Sequence, residues 1–120
     1  MTKRRSKRQK GRWVRRKGHQ FERDTAIELR EVFPEARRHL EYQDAEANGV
    51  DIINTGLYKF QCKKMRNYCP INCIKEVTFD KMFGEVPVLV TAGDGEETLA
   101  VLPFSELIRL MKMEKEFDLR

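Results

Sequence analysis

Acidic residues are missing from the first 17 positions, which hold ten Lys or Arg and no Asp or Glu. An acid-free stretch of that density repels itself, stays solvated and favours a polyanion, so residues 1–17 are expected to form a disordered basic arm. Trp13 and Val14 are its only large apolar residues, and could stack on a base or dock on the body. Cysteine is scarce and odd in number, at three, which argues against a disulfide framework and for a reducing, cytoplasmic interior. The N-terminus lacks an apolar core of the signal-peptide type, so no secretory leader is expected. No apolar run approaches the roughly 18 residues of a membrane span, so no membrane partner is expected. With 120 residues there is no room for a second core of useful size.

What is present is charge. The composition is 40% hydrophobic and 36% charged, with a formal net charge of +5. Removing the ten cations of the arm from the 24 Lys and Arg leaves 14 against 19 acids. The body from Gly18 onward is therefore acidic, and the arm alone makes the chain basic. The division expected is an arm over residues 1–17 and one folded domain over residues 18–120.

Hydrophobic periodicity and turn residues give an element order. Residues 18–33 predict a helix stopped by Pro34, since the residue before proline is pushed out of the helical region. Strands are predicted over residues 37–42, 49–53 and 57–63, with a polar loop over residues 43–48 and a turn at Asn54-Thr55-Gly56. A helix follows over residues 71–83, ended by Gly84. Residues 87–91 and 98–102 predict two more strands around a glycine turn. Phe104, Leu107, Ile108 and Met111 have helical spacing. Helix, three strands, helix, two strands, helix describes an α/β mixed sheet of about five strands flanked by helices.

Four polar residues sit oddly in this frame. On the first helix Phe21, Thr25, Ala26, Leu29, Val32 and Phe33 fall within one apolar arc of roughly 140°, and Glu22 is the only charge inside it. Asp51 interrupts the apolar run Val50-Asp51-Ile52-Ile53. Period two puts Lys59, Gln61 and Lys63 on one strand face and Tyr58, Phe60 and Cys62 on the other. The hairpin brings Asp51 near Gln61 or Lys63, and the first helix packs across the same sheet. Two carboxylates, an amide oxygen and an ammonium suit phosphodiester hydrolysis: hard oxygens hold Mg²⁺ or Mn²⁺, and lysine stabilises charge on the phosphorane or orients the attacking water. Separately, each has an ordinary explanation: an exposed Asp, a Glu22 paired with Arg37 or Arg38, and a solvated strand face. Cys62, Cys69 and Cys73 with His19 or His39 do not make a zinc pattern, because no second close pair follows Cys69 and Cys73.

The arrangement resembles the PD-(D/E)XK nuclease superfamily, with Val50-Asp51 in the first position and Gln61-Cys62-Lys63 in the second. Lys17-Gly18-His19-Gln20-Phe21-Glu22-Arg23 is similar to the opening of Holliday junction resolvases of the archaeal and phage kind. The Pro87-Val88-Leu89-Val90 strand and the Leu102-Pro103-Phe104 start of the last helix are also similar, so the resemblance spans residues 17–111. It implies a restriction-endonuclease-like sheet and a Mg²⁺- or Mn²⁺-dependent endonuclease. Glu22, Asp51 and Gln61 would be the metal-site residues and Lys63 the catalytic lysine. Gln61 departs from the usual Glu, which implies weaker metal affinity. It further implies a homodimer, because a four-way junction needs two matched nicks. Lys3, Arg4, Arg5, Lys7, Arg8, Arg12, Arg15, Arg16, Lys17, Arg37 and Arg38 would contact branched DNA. The same residues are compatible with a non-catalytic nucleic-acid-binding protein, or with a nuclease for flaps, forks or plain duplex.

Overall fold

The computed structural model describes residues 7–39, 49–64 and 70–117. Among them a five-stranded mixed sheet is flanked by three helices, an α/β fold. The elements run α1 (Lys7–Leu29), β1 (Arg37–Arg38), β2 (Ile52–Ile53), β3 (Tyr58–Lys63), α2 (Pro70–Lys75), β4 (Val86–Thr91), β5 (Leu99–Val101) and α3 (Phe104–Glu116). The expected element order holds throughout. Strands lie in the order β1-β2-β3-β4-β5, antiparallel except for the parallel pair β3 and β4. A parallel neighbour requires a crossover, and the chain through α2 supplies it.

Several boundaries differ from expectation. The first helix begins at Lys7, not Gly18, so much of the expected disordered arm is helical. Lys, Arg and Gln are good helix formers, and extending a helix already nucleated by its packed half costs little. It also ends at Leu29, with turn residues up to Val32, which leaves Val32 70% exposed and outside the apolar arc. The second helix stops at Lys75 rather than Phe83. Val77 is buried just beyond it, while Met82 and Phe83 are exposed, so the apolar residues after Lys75 do not share one face. The expected loop over residues 43–48 and the end of the expected strand over residues 37–42 lie outside the described residues.

Helix α1 covers one sheet face. Phe21 and Ala26 join Ile52, Phe60, Cys62, Val86, Val88 and Val90 in one buried cluster, with Leu29 and Phe33 packed against it. Alternation sends Pro87 and Leu89 of the fully buried β4 to the opposite face, where α2 packs. Pro87 is tolerated because β5 pairs only from Leu89 onward, so its missing N–H faces no ladder there. The β2–β3 turn places Asn54 at φ 65° and Gly56 at φ 59°, a left-handed region that these two residue types enter at low cost. No helix among the described residues is long and apolar enough to cross a membrane.

Candidate functional site

The β2–β3 hairpin opens as it leaves its turn. Strand β2 pairs with β3 at Ile52–Phe60, while β3 continues to Lys63 alongside β4. Asp51 stands at this parting. Its backbone N–H donates to the Phe60 carbonyl at 2.8 Å, and its Oδ2 accepts the Cys62 N–H at 2.8 Å. The carboxylate thus satisfies a strand N–H where β2 leaves the ladder. The His39 N–H donates to the Asp51 carbonyl at 2.7 Å, tying the end of β1 to the same point.

Electrostatics place the other groups around Asp51. Burial pushes its carboxyl from 3.8 up to about 6. The Cys62 N–H opposes that rise, the neighbouring Glu22 charge adds to it, and Lys63 and His39 lower it again. Asp51 therefore lies in the field of both Glu22 and Lys63. Glu22 reaches it from the α1 face, where it accepts from Arg38 Nε at 2.8 Å with both side chains largely covered. This is the structural pairing weighed for Glu22 in the sequence, and it engages Arg38, one of the expected DNA contacts. Arg37 is exposed.

Gln61 and Lys63 project to the other face. Gln61 is only 4% exposed, its Nε2 donates to Glu76 Oε2 at 2.7 Å, and Lys63 Nζ lies 3.8 Å from the same carboxylate oxygen. The Gln61 Oε1 atom is buried and has no hydrogen-bond partner among the described residues. Such an atom is costly unless something unseen completes it.

An orphaned amide oxygen and a desolvated carboxylate are each the kind of oxygen donor that a hard divalent cation takes, and a cation would relieve the penalty on either. Among the described residues, no three His, Cys, Asp or Glu side chains converge as a ready ligand cage. Glu22 turns to Arg38, and the position after Asp51 on β3 carries an amide instead of an acid. Cys62 is not a candidate ligand, because burial and the Asp51 charge push its thiol up to about 12. Cys73 is likewise buried, and Cys69 lies outside the described residues.

A basic cavity of about 540 Å³ lies near the strand end. Arg16, Lys17, Phe21, Arg23 and Lys64 line it, with Gln20, Asp24 and Asp94. Lys64 Nζ sits 5.8 Å above the Phe21 ring, and Lys17 is ion-paired with Asp94. Arg16 and Lys17, expected on a loose arm, are fixed on α1 instead. Lys7, Arg8, Arg12 and Arg15 also fall within α1, and Lys3, Arg4 and Arg5 lie outside the described residues. Sequence reasoning missed Arg23 and Lys64, although Lys64 directly follows Lys63. It also missed Glu76, for which no spacing gives a signal. Glu41, Asp44 and Glu46, weighed as additional acids, lie outside the described residues.

No known protein family, curated protein or solved structure matches this chain.

Proposed function

We propose that this protein is a divalent-metal-dependent endonuclease for branched DNA, with a Holliday junction as its substrate and a homodimer as its working form. One observation carries the reading: a partly buried Asp51 carboxylate at the parting of a hairpin, in the field of Glu22 and Lys63. That juxtaposition agrees with the PD-(D/E)XK resemblance of Val50-Asp51, Gln61-Cys62-Lys63 and the Phe21-Glu22-Arg23 opening.

Asp51 and the Gln61 amide oxygen would hold Mg²⁺ or Mn²⁺, with Glu22 on the α1 side of Asp51. When bound, such an ion supplies Lewis-acid polarisation of the phosphate and a more acidic water. The chain supplies the rest. Lys63 sets an ammonium where negative charge develops on the phosphate. Arg16, Arg23 and Lys64 hold backbone phosphates without reading sequence. Arg38 balances Glu22 while no cation is present.

The test is nicking of a synthetic four-way junction and a linear duplex of equal length, at equal salt, with Mg²⁺ or Mn²⁺. The expected result is metal-dependent cleavage of the junction in preference to the duplex, lost in Asp51→Asn. Cleavage surviving in Asp51→Asn removes the site assigned here. Equal cleavage of duplex, flap or fork keeps the nuclease and changes its substrate.

A second reading, a non-catalytic nucleic-acid-binding protein, is favoured by the Glu22–Arg38 pair, which occupies one of the two carboxylates. Junction binding without cleavage under any divalent cation would select it.

A further inference from the structure

We infer that Glu76 supplies the carboxylate missing at Gln61, and fixes the Gln61 amide with its oxygen toward the metal position. The inference rests on the nuclease reading above and names a positioning residue within it.

The argument starts from donor chemistry. A carboxylate offers only acceptors, so the Gln61 group facing Glu76 at 2.7 Å must be the NH₂. The amide is planar, and Oε1 is thereby turned away from Glu76 into buried space where no described group donates to it. Without Glu76 the amide could rotate by half a turn at little cost and present NH₂, which cannot ligate a cation. The same carboxylate lies 3.8 Å from Lys63 Nζ, so one acid orients the neutral ligand and holds the lysine.

The backbone fixes Glu76 in this place. Gly49 has φ 75°, and a Cβ there would collide with the Glu76 carbonyl. Only glycine allows the chain two residues before Asp51 to lie directly on the backbone after α2. The segments carrying Asp51 and Glu76 are therefore locked together, and Glu76 faces β3 beside Gln61 and Lys63. A cation position that has a neutral amide on the strand thus keeps a nearby negative charge from a different element. Partners of this kind, which hold a ligand without being one, commonly govern metal affinity by about 10- to 100-fold.

The experiment is Mn²⁺ binding by isothermal titration calorimetry, alongside junction nicking, in the wild type, Asp51→Asn, Glu76→Gln and the Gln61→Glu/Glu76→Gln double variant. The Glu76 side chain is 56% exposed, so Glu76→Gln is expected to keep the wild-type melting temperature. The prediction is a fall in Mn²⁺ affinity of about 10-fold or more in Glu76→Gln, recovered to within about threefold when charge and amide are exchanged. Wild-type affinity in Glu76→Gln overturns the inference, as does a double variant no better than Glu76→Gln. If Asp51→Asn abolishes Mn²⁺ binding in either case, the nuclease reading survives that failure. A wild type that takes up no Mn²⁺ overturns both.

Discussion

Arg38 on β1 donates to Glu22 on α1 at 2.8 Å, and this pair stands beside the half-buried Asp51. The guanidinium is the counter-charge that lets two carboxylates share one region of the fold without a cation. Each side chain of the pair is about one-fifth exposed, so its removal leaves a partly buried, uncompensated charge. Arg38→Ala is expected to destabilise the chelator-treated protein by roughly 1–3 kcal/mol in urea unfolding. Mn²⁺ should recover part of that loss by neutralising Glu22 and Asp51. A loss that Mn²⁺ does not touch would separate the pair from the cation position.

Asp51 gives a pH signature. Its folded value of about 6 lies above the ordinary 3.8. Between these values the folded protein keeps a proton that the unfolded chain releases, so stability falls as pH rises through that window. The cost is fully present above it and vanishes below about pH 4. Asp51→Asn removes the cost while its amide oxygen still accepts from the Cys62 N–H. In chelator, the variant is expected to be roughly 1–3 kcal/mol more stable than wild type at pH 7.5, and equal to it below pH 4. A variant less stable at neutral pH would show that Asp51 serves packing and not a charged site.

How much of this was legible follows from particular residues. Pro34, Gly56 and Gly84 punctuate the chain, so the element order was readable. Asp51 and Glu22 were conspicuous because each interrupts an apolar pattern. The start of α1 was hidden because ten cations without an acid resemble a solvated arm, although Lys and Arg favour helix. Glu76 was invisible because its partner Gln61 lies 15 residues away across a crossover, and no periodicity links them. The Arg38 pairing was readable only as one of two choices, since β1 puts Arg37 and Arg38 on opposite faces.

The basic cavity predicts a salt effect. Lys64→Ala should weaken four-way junction binding several-fold near 0.1 M salt. It should also reduce the slope of log affinity against log salt by about one. Fluorescence anisotropy across a salt series reads both. An unchanged slope would take Lys64 off the phosphate path.

Helix α3 buries none of its residues, and Phe104, Leu107 and Met111 are exposed in helical register, with Leu99 exposed on the adjoining edge strand β5. The proposed homodimer would use this apolar row. Leu107→Asp with Met111→Asp is expected to convert a dimer to a folded monomer in sedimentation equilibrium. A dimer that persists in this variant would place the interface elsewhere.

The central claim is a cation gripped at the point where the hairpin strands part. Its most direct measurement is anomalous diffraction from a crystal soaked in Mn²⁺ at concentrations that support cleavage. The account predicts one strong peak within ligand distance of an Asp51 carboxylate oxygen and Gln61 Oε1, absent in Asp51→Asn. A clean map at those two side chains, with Mn²⁺ bound elsewhere or nowhere, would contradict it.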